Sequence, residues 1–223
     1  EDILYDYKPH IGTDILYHVI RNMRKTIIKN GGEIRFQAKV TDLLIEKERI
    51  TGVEINNSEF LHASYVVLAP GHSARDTFAA LQKKKVPMEP KPFAVGFRVE
   101  HPQKLINHAQ YGTDENEILG SAPYKLTASV DGRGVYSFCM CPGGYVVNAS
   151  SEERHLAVNG MSYNKRDSQN ANSAVIITID PSDYGNGTDP LSGVAFQREL
   201  ERKAYLVGNG KVPVERLGTC REA

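Results

Sequence analysis

The chain has 223 residues, 40% of them hydrophobic and 24% charged, and its 27 Lys and Arg balance its 27 Asp and Glu. That length suits one large domain or two small ones. Zero net charge lacks the electrostatic footprint of a nucleic-acid binder, and no apolar run reaches the ~20 residues of a membrane-spanning helix, so neither partner is expected.

The first element is an amphipathic helix. Thr13 or Asp14 can cap it, since a short side-chain oxygen satisfies free N–H groups of the first turn. Ile15, Leu16, Val19, Ile20, Met23, Ile27 and Ile28 recur at helical spacing, and Gly31-Gly32 ends the run. The period then shortens. Ile34 and Phe36 alternate with polar residues, followed by Val40 to Ile45 and Ile50 to Ile55, with turns at Glu48-Arg49 and Asn56-Asn57. This predicts a meander of short antiparallel strands. Tyr65 to Ala69 is continuously apolar, which suits a buried strand of a parallel sheet. Pro70-Gly71 breaks it, and a second helix is expected near Ser73.

Three consecutive Lys and three Pro between Lys83 and Pro92 predict a linker. Beyond it, Phe93–Glu100, Ala122–Val130, Val135–Met140, Tyr145–Ala149 and Ala174–Ile179 read as strands. Asp131-Gly132 and Gly143-Gly144 suit hairpin turns, Pro181 to Ser192 reads as a loop, and Phe196 to Leu206 returns to helical spacing.

Three Cys, two of them one residue apart, do not make a disulfide framework, so a reducing cytoplasm is the expected compartment. The sequons at Asn148 and Asn186 then carry no weight. No secretory signal opens the chain. It begins at Glu1 without Met and ends at Ala223 without a capped element, so the expectation is an internal piece of a longer protein.

Several long strings are family-like: KPHIGTD from Lys8, APGHSARDTF from Ala69, KPFAVGFRVEHPQ from Lys91, GVYSFCMCPGGYVVNASSE from Gly134, NGMSYNKR from Asn159 and NANSAV from Asn170. Together they resemble the bacterial FAD-dependent (FAD-utilising) dehydrogenases, relatives of flavoproteins with the glutathione-reductase type of fold. The resemblance covers nearly the whole chain. It implies an α/β or α+β architecture: residues 1–87 as part of a Rossmann-like FAD-binding domain, 88–205 as an inserted β-rich substrate or cap domain, and 206–223 as the start of the return to the FAD domain. It implies FAD as cofactor, with NAD(P)H as a possible reductant. The family's G-x-G-x-x-G, whose backbone N–H groups cradle the pyrophosphate, does not occur in the chain.

The resemblance places the loop of Lys8, Pro9, His10, Ile11, Gly12 and Thr13 near the flavin ring. The alternative is a plain helix-entry loop. It matches Val40, at the start of the meander, to a residue that contacts adenine through its backbone, although a strand Val is core by default. Ala69-Pro70-Gly71 resembles the Ala-Thr-Gly turn that passes close to the FAD, with Pro70 removing an N–H and a hydroxyl. His72, Ser73 and Arg75 follow, able to reach cofactor or substrate or to cap the next helix.

Cys139 and Cys141 are the sharpest chemical feature. On a strand, alternation puts both sulfurs on one face, where they form either a thiolate redox site or two buried small residues. Zinc is disfavoured, because no second Cys/His pair has ligand spacing, and no metal is expected. Arg98 can bind a substrate carboxylate bidentately and His101 can be a proton donor, or the group Arg98, Glu100 and His101 is an ordinary solvated edge. Gln110-Tyr111 is a further polar-aromatic pair. Asn159, Ser162, Arg166, Asn170, Asn172 and Ser173 make a polar stretch that serves either turns or a polar ligand.

The leading expectation is a fragment of an FAD-dependent oxidoreductase that sets a small substrate against the flavin and is inactive by itself. The alternatives are a non-catalytic interaction domain of a flavoprotein and a thiol redox site at Cys139 and Cys141.

Overall fold

The computed structural model describes residues 10–185 and 187–220. α1 (Thr13–Lys29) follows the apolar periodicity, but its N-cap is Gly12 at φ 84, with no side-chain cap. The Thr13 hydroxyl instead donates to the Ser162 carbonyl at 3.2 Å. No residue of α1 is buried, and its apolar stripe lies open, Ile20 and Met23 being more than half exposed.

β1 (Val40–Glu46), β2 (Arg49–Ile55) and β3 (Glu59–His62) form an antiparallel meander in that order. Its turns fall at Lys47-Glu48 and Asn56-Asn57, all four residues left-handed, which matches the twist of tightly connected strands. Val53 and Ile55 are its buried hydrophobic side chains, beside the buried Gly52. Ile34 and Phe36 are outside any strand.

The buried parallel strand expected at Tyr65–Ala69 is not formed. The segment has no regular structure, and Tyr65 and Val67 are 91% and 90% exposed. A parallel strand needs neighbours to take its N–H and C=O groups. Among the described residues every ladder is antiparallel, and none runs beside this segment.

α2 (Arg75–Lys83) starts two residues beyond Ser73, with Ala74 at its N-cap. Residues 86–92 carry no regular structure. There follow β4 (Phe93–Pro102), α3 (Gln103–Tyr111), β5 (Thr127–Val130), β6 (Arg133–Cys141), β7 (Gly144–Asn148), β8 (Val158–Ser162), β9 (Asn170–Ile179), α4 (Pro181–Tyr184), α5 (Ser192–Val207) and α6 (Leu217–Cys220). The main sheet runs β4-β9-β6-β5, and β7 and β8 make a separate two-stranded ladder. The architecture is thus mixed α and β, with three antiparallel sheets among the described residues.

Two local expectations change and one holds. The strand placed at Ala122–Val130 is confined to Thr127–Val130. Asp131-Gly132 does turn a hairpin between β5 and β6. Gly143-Gly144 does not: it is a corner that takes the chain from β6 in the main sheet to β7, whose partner is β8. Sequence periodicity missed α3 and β8, besides β3 and the short α4 and α6, α4 lying in the stretch read as a loop. Helix α3 has only Leu105 and Ile106 as long aliphatic residues. Strand β8, Val-Asn-Gly-Met-Ser, is held by pairing with β7 rather than by its own propensity.

Arg75 ties the first third of the chain to the rest. Its side chain is 2% exposed and makes a two-pronged pair with Glu201 of α5 (2.6 and 3.0 Å) and a bond to Glu152 (2.6 Å). Arg198 closes on the same Glu152. These partners hold the Glu152 carboxyl at about 2, Arg198 being the larger cause. Arg75 therefore neither caps α2 nor faces a ligand cleft.

The accessible surface is 16648 Å² for 24.7 kDa. A compact monomer of that mass exposes about 10,000 Å². The excess is spread along the chain, and the open stripe of α1 and the open Tyr65–Ala69 segment contribute to it.

Candidate functional site

The expected cofactor residues fall in two places. Val40 and Pro70 come together in a cleft of about 450 Å³ between the start of β1, residues 67–70 and the Asp76–Leu81 part of α2. β1 is an edge strand. Lys39 directs both its N–H and its C=O to Asn56 of the neighbouring turn (3.0 and 2.8 Å). Backbone groups of successive strand residues point to opposite edges, so those of Val40 point to the outer edge, toward the cleft. Gly71 follows with φ 77 and open space around it. A Lys39–Asp76 ion pair of 2.6 Å joins two lining residues, and it lowers the Asp76 carboxyl.

His10, Gly12 and Thr13 lie elsewhere, docked on the end of β8. A His10 ring nitrogen meets the Tyr163 carbonyl at 3.0 Å, and Asn164 donates its side-chain amide to Ile11 O at 2.8 Å and its N–H to Asp14 at 2.9 Å. The Asn164 N–H lowers the Asp14 carboxyl. A Cβ on Gly12 would overlap the Asn164 backbone, and its positive φ already excludes most side chains. Lys8, Pro9 and the Asn186 sequon lie outside the described residues.

The four expected catalytic residues do not form one group. Cross-strand partners share a face and neighbours alternate. Arg98 (opposite Ala174) and Asn172 (opposite Glu100) therefore share one face of the main sheet, and His101 (opposite Ala171) and Ser173 (opposite Val99) the other. On the second face, His101 Nε2 meets Tyr124 Oη at 2.9 Å. Burial raises the Tyr124 phenol, against a smaller effect of its Ser173 hydrogen bond.

A β-bulge disposes the cysteines. Phe138 pairs with Ala174 and Cys141 with Asn172, so Cys139 and Met140 together oppose Ser173. Cys139 takes φ 45 to make this possible. Simple alternation is thereby broken: Cys139 is exposed, while Cys141 is half-buried and returned to the face of Arg98 and Asn172. Both thiols are free, and the Cys141 thiol lies 3.3 Å from the Cys139 carbonyl. Burial pushes the Cys141 thiol up, with Arg98 the main opposing influence. That direction works against a thiolate at neutral pH.

Arg98 donates to Asn172 Oδ1, to the Cys139 carbonyl at 3.2 Å and to Asn159 Oδ1 at 3.4 Å. Its acceptors are all neutral, so its charge has no carboxylate partner among the described residues. Gly160 lies directly over Arg98 and Asn172, and any Cβ there would collide with both side chains. The polar stretch thus divides: Asn159 and Asn172 converge on Arg98, Asn170 donates to Glu100, and Ser162 receives Thr13. Arg75 Nε, Asn172 Nδ2, His101 Nδ1 and Arg166 Nε are buried without a hydrogen-bond partner. Such an atom can take a ligand or solvent partner where its residue borders a cavity, as Arg166 does and Arg75 does not.

Sequence reasoning did not single out Tyr124 or Lys125, which line a second cavity with Gln110 and Arg166. Their signal is weak, since only folding brings residues 110, 124 and 166 together. Among the described residues no group of three or more His, Cys, Asp or Glu can hold a metal ion, and no helix is long and apolar enough to cross a membrane.

The comparisons agree with this picture at the level of family. An uncharacterized protein of Clostridium beijerinckii is 45% identical over 222 residues, which is 97% of this chain and 41% of that protein. The chain therefore spans well under half the length of that relative. The family model for "FAD-dependent protein, C-terminal domain-like" matches residues 92–222, more than half of the chain. With that match, the chain belongs to the FAD-dependent protein, C-terminal domain-like family.

Proposed function

We propose that this chain is part of an FAD-dependent oxidoreductase, in which it contributes the adenine-side wall of the flavin site and the domain that sets a small substrate against the flavin. The cleft holding Val40 and Pro70 carries the reading. Its volume is in the range of small-molecule sites, and its lining is largely apolar, as a purine ring requires. The outward N–H and C=O of Val40 are a donor and an acceptor for an adenine edge. The pyrophosphate cradle is not among these residues, so the fit is to one end of the cofactor. Bound FAD would supply hydride chemistry; the residues here would bind, orient and shield.

Two further observations support this reading. The open stripe of α1 and the open Tyr65–Ala69 segment are large apolar surfaces that call for cover. In a Rossmann-like domain of the glutathione-reductase type, further strands and helices would supply it. The family match starting at residue 92 supports a division of the chain near residue 88.

The test is FAD titration of the flavin-free full-length protein. Val40→Pro deletes the N–H at an edge position where Pro is tolerated, and it should weaken FAD binding by about tenfold, the worth of one hydrogen bond. A protein that stays colourless with added FAD sinks the reading. Reduction of the bound flavin by NADH or NADPH then identifies the electron donor.

A further inference from the structure

A second cavity, of about 530 Å³, lies beside the corner that follows β6. Met140 and Pro142 line it, together with Gln110, Tyr124, Lys125 and Arg166. No carboxylate is among its lining residues. Neither Lys125 nor Arg166 takes part in an ion pair among the described residues. Arg166 Nε is buried and has no hydrogen-bond partner. The backbone of Arg166 is anchored, its carbonyl taking the Ser121 hydroxyl at 2.7 Å. Tyr124 is held by His101, whose other ring nitrogen is buried and unpartnered.

A planar guanidinium with an unused buried N–H, a lysine, a phenol and no competing acid form a receptor for an anion. The Met140 and Pro142 walls ask for an apolar body behind the charge. We propose that this cavity binds a small organic carboxylate, clasped by Arg166 and Lys125, with the Tyr124 hydroxyl beside them. Calling that ligand the substrate rests on the oxidoreductase reading; its binding does not.

The experiment is calorimetric titration of the full-length protein, flavin-loaded and flavin-free, with succinate, glutarate and inorganic phosphate at low salt. Losing a charged hydrogen bond should weaken carboxylate binding about tenfold or more in Arg166→Gln. Lys125→Gln, a change at an exposed position that leaves the fold intact, should weaken it severalfold. Arg21→Gln, on the exposed α1 and outside the cavity lining, should change nothing. Phosphate should bind at least about tenfold more weakly than the carboxylates, because it leaves the apolar walls unfilled. The proposal is overturned if neither dicarboxylate binds below about 10 mM, a free energy too small for a built site. It is also overturned if Lys125→Gln leaves the affinity unchanged, or if phosphate matches succinate. Carboxylate binding without any flavin binding would sustain this site and sink the flavin reading, and the reverse result would do the opposite.

Discussion

Replacing Arg75 by Met isolates the clamp between α2 and α5. The methionine keeps most of the apolar volume but removes the charge. Glu152 retains Arg198 through three hydrogen bonds. Glu201 makes no other side-chain hydrogen bond or ion pair among the described residues, with Arg198 adding a weaker electrostatic pull, and its side chain is only 17% exposed. Removing one member of a buried pair costs about 3–5 kcal/mol. The partial exposure of both glutamates lets water recover some of this, leaving about 2–3 kcal/mol. For a denaturant slope of about 2 kcal/mol/M, the urea midpoint should fall by roughly 1 M, measured by circular dichroism at neutral pH. The double variant Arg75→Met with Glu201→Met should return most of the loss, since an apolar pair tolerates burial where a lone carboxylate does not. Arg198→Met should cost less than about 1 kcal/mol, because its side chain is 45% exposed. A loss under about 1 kcal/mol for Arg75→Met, or an equal loss for Arg198→Met, refutes the assignment of Arg75 as the clamp.

Three other outcomes follow from the same geometry. Gly160→Ala should destabilise by about 1–3 kcal/mol through overpacking and lower the reactivity of Cys141, because pushing Arg98 aside weakens the charge that favours its thiolate; unchanged stability and unchanged reactivity would show that β8 does not press on them. With a thiol reagent at neutral pH, Cys139 should be modified before Cys141, the first exposed and the second half-buried with its thiol pushed up; peptide mapping of the first adduct decides. The Glu152 carboxyl is held at about 2 against an ordinary 4.5. Its depressed value means the folded state favours the ionised form, so its contribution is fully present above pH 4.5 and is lost as pH falls through about 2. Stability measured across that window should fall less steeply in Arg198→Met than in the parent, and parallel profiles would rule the ion pair out as the cause.

The sequence by itself determined the local elements with a strong period. The α1 stripe, β1 and β2, β4, the Ala174–Ile179 part of β9 and the helix around Phe196–Leu206 are each written in the spacing of their apolar residues. It also carried the family, through strings spread over most of the chain. Tertiary structure decided what spacing cannot encode. Tyr65–Ala69 has the composition of a buried strand, yet without neighbours its backbone groups have nothing to pair with, so it is open coil. Arg98 and His101 are three residues apart and face opposite ways, because strand alternation separates odd from even offsets. Cys139 and Cys141 look like a same-face pair until one extra residue in β6 re-aims the second sulfur. Arg166 and Lys125 are unremarkable in sequence. Only the arrangement of the elements leaves them lining one cavity with no acid to neutralise them, since counter-ions are a property of three-dimensional neighbourhood and not of chain order.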